Sequence, residues 1–155
     1  MLGLLCCARM PAGHAQVLSL AAAAGPVFLP GSGAGTDWHA LLALNLRTQP
    51  LGGRLETMYM GVPGADLVAL TGNVVWRFPR ERATAVEPYL IVGAGAYLKF
   101  SEQRFGLNGG AGVQRPMGPL RLFAEVRYHR VTRRFEEARD ADTFIPVSVG
   151  VALGH

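Results

Sequence analysis

The residues best suited to chemistry in this sequence are charged side chains spaced two positions apart. Arg54 and Glu56 form one such pair, and Glu125 and Arg127 form another. Positions two apart share one face of a β-strand, so each pair would project in a single direction. Because buried charges need partners of opposite sign, a common buried face predicts an ion-pair network. The residues assigned to this network are Arg47, Arg54, Glu56, Arg77, Glu87, Lys99, Arg121, Glu125 and Arg127.

The histidines are the remaining candidates for general-base catalysis or metal binding. His39 and His129 have no serine near them in the sequence, and Ser148 would meet His129 only by chance. The other two histidines, His14 and His155, lie near the chain ends, so no metal-ligand spacing is present. We therefore expect no enzyme activity, no metal site and no cofactor.

The elements that position these residues show most clearly in segment 87–100. Its even positions are apolar, whereas its odd positions carry charge, tyrosine and glycine. A helix would scatter both sets around its axis, and each glycine would destabilise that helix by about 1 kcal/mol. The alternation therefore predicts a long strand with one apolar face.

The rest of the chain divides into similar extended segments separated by turn signals rich in glycine, proline and charge. No segment with helical periodicity lies between them, so an antiparallel up-and-down arrangement is predicted. The fold class is all-β with eight strands. The predicted strands are 16–29, 38–47, 54–62, 67–78, 87–100, 105–113, 120–130 and 143–153.

Composition supports one domain of this class. The chain has 155 residues, of which 50% are hydrophobic and 17% are charged, with 20 glycines. No run of 18 apolar residues is present that would form a membrane-spanning helix. The formal net charge of +4 comes almost wholly from arginines spread along the chain, which argues against nucleic-acid binding.

The first 15 residues have the pattern of a signal peptide. A short apolar run at 2–8 precedes a small-x-small site, and residue Ala15 would be the last before cleavage. Domain 16–155 would then be the barrel. Both cysteines, Cys6 and Cys7, fall in the predicted signal peptide, so the mature chain would have neither a disulfide nor a thiolate nucleophile.

Eight strands with one apolar face can close as a soluble barrel or as an outer-membrane barrel. The second is favoured because glycines lie beside long charged residues on the polar face, as in a narrow filled lumen, and because lysine is scarce. Aromatic residues also fall near strand ends on the apolar face, as in interfacial girdles. The girdle residues are Trp38, Tyr59, Phe100, Phe105 and Tyr128 at one rim, and Trp76 and Phe78 at the other.

Four segments also resemble a known family. These are Glu87-Pro-Tyr-Leu-Ile-Val-Gly-Ala-Gly-Ala-Tyr97, Phe105-Gly-Leu-Asn-Gly-Gly-Ala-Gly-Val113, Leu122-Phe-Ala-Glu-Val-Arg-Tyr128 and Phe144-Ile-Pro-Val-Ser-Val-Gly150. Their order and spacing are similar to the outer-membrane β-barrel domain family, the small OmpA/OmpX-like barrels. The resemblance implies an eight-stranded transmembrane barrel in a bacterial outer membrane, inserted by the barrel-assembly machinery. The chain departs from the family by ending Val151-Ala-Leu-Gly-His155 without a terminal aromatic.

The expected function is a structural or surface-interaction role for a monomeric barrel. Glu56, Glu87 and Glu125 are each expected to contact an arginine from another strand, closing the lumen. Loops 30–37, 61–66, 101–104 and 132–142 would face outward, where they could contact lipopolysaccharide or a surface partner. Two alternatives stay open, a soluble lipocalin-like ligand-binding barrel and a lipid-modifying outer-membrane enzyme. The outer-loop candidates are Arg133, Arg134, Glu136, Glu137 and Arg139.

Overall fold

The computed structural model describes residues 17–30, 36–62, 65–78, 86–99, 102–132 and 143–154. The predicted signal peptide, Phe100 and the five outer-loop candidates lie outside these residues. Within the described ranges, no helix is long and apolar enough to cross a membrane. The strands are β1 Val17–Phe28, β2 Thr36–Arg47, β3 Leu51–Val62, β4 Ala65–Arg77, β5 Glu87–Lys99, β6 Glu102–Met117, β7 Leu120–Val131 and β8 Thr143–Leu153.

The eight strands form one closed barrel in sequence order, which confirms the predicted fold class. Every strand is antiparallel to its two neighbours, and β1 pairs with β8 through partners such as Ala24 and Val149. Closure removes the exposed strand edges that an open sheet would leave. We call the end where β1 begins and β8 ends the termini end, and the opposite end the loop end.

The apolar face of every strand points away from the barrel axis. Leu42, Val92 and Val149 are 63%, 63% and 66% exposed, whereas Glu125 and Arg127 are buried in the lumen. A soluble monomer rarely exposes so continuous an apolar surface, because water would be in contact with it. The direction of the side chains is therefore that of a barrel surrounded by lipid, as predicted, and opposite to that of a soluble barrel.

Two strands, β3 and β6, extend furthest beyond their predicted bounds. β3 begins at Leu51 rather than at 54, because Gly52 and Gly53 pair with β4 instead of forming a turn. β6 covers Glu102–Met117 rather than 105–113, because its first residues pair with β5 and its last residues pair with β7. Neighbouring strands of a closed barrel hydrogen-bond to each other along their length. This pairing extends both strands beyond the residues that show the alternating apolar pattern.

Glycines on the inner face create the space for large rings. A Cβ atom at Gly112 would lie 2.4 Å from Tyr89 Cζ, and one at Gly150 would lie 2.7 Å from Phe123 Cζ. An eight-stranded barrel has an interior only wide enough for its own side chains. Gly112 is the cross-strand partner of Tyr89, and Gly150 is that of Phe123, so each glycine allows the ring to lie over the neighbouring strand.

Candidate functional site

The middle of the lumen holds two arginines and two glutamates, which we call the central tetrad: Arg54, Glu56, Glu125 and Arg127. Arg54 Nη1 lies 2.8 Å from Glu125 Oε2 and 3.9 Å from Glu56 Oε2. Arg127 Nε lies 3.0 Å from Glu125 Oε1, and Arg127 Nη2 contacts Glu56 Oε1. The four side chains are nearly inaccessible to solvent. Two positive and two negative groups balance, which is what burial of charge requires.

Polar neighbours complete the coordination of the central tetrad. Asn45 Oδ1 accepts a hydrogen bond of 2.8 Å from Arg54 Nε, and the Tyr89 hydroxyl donates one of 2.7 Å to Glu125 Oε2. The Arg54 guanidinium also lies 5.8 Å from the centroid of the Tyr89 ring. These contacts orient Arg54 and Glu125, because each of the two has a directional partner besides its counter-ion.

A second charged group lies nearer the termini end, and we call it the arginine cluster: Arg47, Arg77 and Arg121 around Glu87. Glu87 Oε2 lies 3.3 Å from Arg47 Nη2 and 3.8 Å from Arg121 Nη1. It also accepts a hydrogen bond of 2.7 Å from Gln114 Nε2. Arg77 is buried beside this group but forms no ion pair with any carboxylate in the described part of the chain.

Lys99, assigned to the same network, lies at the other end of the barrel. It is the last residue of β5, and its side chain is buried near the loop end. No described carboxylate forms an ion pair with it. The nine assigned residues thus share the inward face, but they divide into the central tetrad, the arginine cluster and this separate lysine.

The aromatic residues assigned to the membrane interface point outward. Trp38 and Tyr59 lie near the loop end with ring centroids 5.4 Å apart, and Trp76 and Phe78 lie near the termini end with centroids 5.6 Å apart. Phe105 and Tyr128 are also exposed near the loop end. All six are at least 37% exposed, so they form two rims on the outer surface: Trp38, Tyr59, Trp76, Phe78, Phe105 and Tyr128.

A serine does lie next to a buried histidine, contrary to the expectation from the sequence. Ser148 Oγ is 2.8 Å from His39 Nε2, although 109 positions separate the two residues. They belong to β8 and β2, which flank β1, and the intervening residue of β1 is Gly25. Only the missing side chain at this position lets the two groups meet across a strand. In the sequence, the signals for this contact were the inward position of both side chains and the glycine on the strand between them.

This serine–histidine pair is not arranged for catalysis. His39 and Ser148 are 0% and 2% exposed, so a lipid acyl ester has no route to the hydroxyl. No described carboxylate hydrogen-bonds to the imidazole, as a third group would to orient it. Within the described ranges, no three His, Cys, Asp or Glu side chains converge to bind a metal ion. The pair therefore satisfies two buried polar groups.

The loop-end half of the lumen holds a packed apolar region beside buried polar side chains such as His39 and Lys99. The sequence reasoning missed this region because it assigned the inner face to polar side chains. Met58, Met60 and Leu67 are each at most 2% exposed, and Phe144 stacks on His129 with ring centroids 4.8 Å apart. The Tyr97 hydroxyl lies 2.9 Å from His129 Nδ1. We call this packed region the apolar plug. Met58 and Met60 lie on the same inward face of β3 as Glu56, and this spacing was the signal in the sequence for the apolar plug.

Comparisons with known proteins identify the fold. No protein-family model matches the chain, and no curated protein sequence matches it. Among solved structures, Neisserial surface protein A is similar with a TM-score of 0.68 and 18% identity, covering 89% of this chain and 95% of that protein. The N-terminal β-barrel domain of Pseudomonas aeruginosa OprF has a TM-score of 0.63 and 12% identity, covering 90% and 97%.

The outer membrane enzyme PagL is also similar, with a TM-score of 0.56 and 15% identity, covering 87% of this chain and 98% of that chain. At these identities the similarity establishes the architecture and leaves activity open, since one fold supports several functions. This chain forms a closed barrel of eight strands with its apolar face outward, and the three structures are similar to it in fold. The chain has the fold of the small eight-stranded outer-membrane β-barrels.

Proposed function

We propose that this chain is a closed outer-membrane barrel with a structural or surface-interaction role. The observation that carries the proposal is the filling of the lumen along its length. The arginine cluster occupies the termini end, the central tetrad the middle, and the apolar plug the loop-end half. The central tetrad and the apolar plug would leave no continuous passage through a barrel of eight strands, so we expect no diffusive pore.

The outer surface near the loop end supports contact with membrane lipid. A groove of about 510 Å³ lies there, with an apolar floor formed by Leu107 and Gly109 and an exposed arginine, Arg130, at its edge. Acyl chains fit the apolar floor, and a guanidinium pairs with phosphate. We propose that the loop end faces outward, where lipopolysaccharide presents both groups. Arg133, Arg134, Glu136, Glu137 and Arg139 would add contacts to lipid or to a surface partner.

The closed barrel also bears on how the chain assembles and on its partners. We propose a monomer, because the lumen of one chain is already filled and closure leaves no strand edge for pairing. Insertion would use the barrel-assembly machinery, as for other barrels of this fold. We propose no nucleic-acid partner, because the cationic side chains of the central tetrad and the arginine cluster are turned into the lumen.

We propose that the chain is not an enzyme, despite the similarity of its fold to PagL. The serine nearest to a histidine, Ser148, is enclosed by the barrel wall, and its partner His39 is equally buried. A lipid-modifying enzyme of this fold would need both groups within reach of an acyl ester.

Cell fractionation tests the location, and conductance tests the closed lumen. We expect the mature chain in the envelope fraction, migrating faster on gels before heating than after it. Purified barrel in planar bilayers should give no stepwise current. A soluble chain in the cytoplasmic or periplasmic fraction would overturn the location. Steady single-channel steps that disappear when the barrel is heat-unfolded would overturn the closed lumen.

A further inference from the structure

The arginine cluster brings three guanidinium groups together near the termini end of the lumen. In the central tetrad, two arginines face two glutamates. In the arginine cluster, three guanidinium groups surround one described carboxylate, Glu87. Arg47, Arg54 and Arg121 repel the positive charge of Arg77, and Glu87 attracts it. Like charges held together in a partly desolvated space repel one another, and an anion reduces that repulsion.

Arg77 is the residue of this cluster that points to a ligand. It is 3% exposed, and its Nε and Nη1 atoms have no hydrogen-bond partner among the described residues. A Cβ atom at Gly52 would lie 2.5 Å from Arg77 Nη1, so only glycine at that position leaves room for the guanidinium. A buried charged donor costs about 1–3 kcal/mol or more when it is unsatisfied, so Nε and Nη1 of Arg77 are suited to bind an acceptor.

Arg47 provides a second donor to the same space and a route into it. Its Nη1 atom is buried without a hydrogen-bond partner in the described part of the chain, while Nη2 is used by Glu87. The side chains of Arg47 and Arg121 are 13% and 19% exposed, in contrast to the central tetrad. An anion arriving at the termini end would therefore reach Arg77 past these two side chains.

We propose that the arginine cluster is a binding site for a phosphate group. A guanidinium presents paired N–H donors in a planar fork that matches two oxygens of a phosphate, and Arg77 offers such donors unused. The phosphate could belong to free inorganic phosphate or to the headgroup of an anionic phospholipid, since both present the same oxygens. This site goes beyond the structural role proposed above and does not depend on it.

Thermal unfolding of the purified barrel in maltoside micelles tests the site with inorganic phosphate as the probe. Phosphate would replace chloride at constant ionic strength, and the unfolding midpoint would be read from the heat-dependent gel shift. A ligand at 100 times its dissociation constant raises the folded-to-unfolded ratio about 100-fold, so the midpoint of the wild type should rise. The Arg77→Gln variant should fold, because it removes a repelled charge, and should lose this response.

A matched control is Arg115→Gln, which removes an exposed arginine at the same end of the barrel. Its phosphate response should equal that of the wild type. Arg77→Lys keeps the charge without the planar fork and should respond less than the wild type, which gives a second variant if Arg77→Gln does not fold. Equal responses of wild type, Arg77→Gln and Arg77→Lys to phosphate would overturn a free-phosphate site.

A second arm distinguishes the lipid source. The same variants would be placed in nanodiscs of phosphatidylglycerol or of a phosphate-free glycolipid, and lipid retained through purification would be counted by native mass spectrometry. Phosphatidylglycerol retained by wild type and Arg115→Gln but lost by Arg77→Gln supports a headgroup site. The proposal is wrong if two results are found together for the wild type. Phosphate would not raise the unfolding midpoint above its value in chloride, and phosphatidylglycerol would be retained no more than the glycolipid.

Discussion

Arg54 Nη1 and Glu125 Oε2 lie 2.8 Å apart in the lumen, although the two residues are 71 positions apart in the chain. β3 and β7, which carry them, are not neighbours in the barrel. The contact therefore crosses the interior and connects opposite walls. Such a cross-lumen pair stabilises closure in a way that backbone pairing between adjacent strands cannot.

Glu125→Gln should destabilise the barrel more than any rim substitution of the same kind. The change leaves Arg54 and Arg127 buried with one fewer negative partner, which costs about 3–5 kcal/mol when one member of a buried pair is removed. Urea unfolding in lipid vesicles measures this. Glu102→Gln is the matched control, because Glu102 pairs with Arg104 where both side chains are partly exposed, and about 1 kcal/mol or less is expected. Equal losses for the two variants would contradict a buried tetrad.

Gly112→Ala should be destabilising because its Cβ atom would meet Tyr89 at both the Cζ and Oη positions. Overpacking of this kind costs about 1–3 kcal/mol and would also displace the hydroxyl that donates to Glu125. Gly109→Ala serves as the control, since the nearest atom to its Cβ would be Ile91 O at 3.7 Å. Comparison of the two unfolding curves checks the prediction, and an unaffected Gly112→Ala barrel would mean that Tyr89 does not occupy this space.

Leu42→Arg should be costly only if the outer surface meets lipid. Leu42 lies mid-strand in β2 and is 63% exposed, so in water an arginine there would be tolerated. In a bilayer, an arginine at mid-depth on the lipid face costs about 2–4 kcal/mol. The unfolding free energy in vesicles should fall by that amount, while Leu42→Met changes little. A neutral Leu42→Arg substitution would argue for a water-facing surface.

Ser148→Ala should affect stability and not lipid chemistry. The variant leaves His39 Nε2 buried without its partner, which costs about 1–3 kcal/mol. Lipid A incubated with wild type or Ser148→Ala barrel should show the same acyl composition by mass spectrometry. Release of fatty acid by the wild type that Ser148→Ala abolishes would establish the enzyme that we propose is absent.

Arg130→Gln should weaken the association with lipopolysaccharide, because it removes the cation at the edge of the groove that Leu107 and Tyr128 line. A loss of about 1.5–3 kcal/mol is the usual contribution of a hydrogen bond to a charged group, which corresponds to at least a tenfold fall in affinity. Arg115→Gln, exposed at the termini end, should bind as the wild type does. The amount of lipopolysaccharide that co-purifies with each variant measures the difference. Equal amounts would mean that the groove does not bind lipopolysaccharide.

The alternation of residues was sufficient to predict the strands and the direction of their faces. Leu42 and Val92 point outward, and Glu125 points into the lumen, because a period of two assigns each residue to one side of the sheet. The aromatic rims followed from the same pattern, since Trp38 and Trp76 lie near opposite ends of their strands. Only the choice between water and lipid needed additional argument from composition.

The contacts between side chains of distant strands could not be predicted from the local sequence pattern. Ser148 reaches His39 because barrel closure brings β8 and β2 to either side of β1, and closure is a property of the whole sheet. Met60 and Leu67 meet in the apolar plug because β3 and β4 place them at the same height. Arg77 remains without a described ion-pair partner for a similar reason, since its height relative to Glu87 depends on register and not on spacing.

The central claim is that the apolar surface, including both tryptophans of the chain, is in contact with lipid acyl chains. Trp38 and Trp76 are 56% and 50% exposed on the outer surface. The most direct measurement is quenching of tryptophan fluorescence by acyl-chain-brominated lipids in vesicles, with Trp76→Phe and Trp38→Phe isolating each signal. Both tryptophans should be quenched most by bromine placed close to the headgroup, and little by aqueous iodide. Strong quenching by iodide together with no response to brominated lipid would contradict the account.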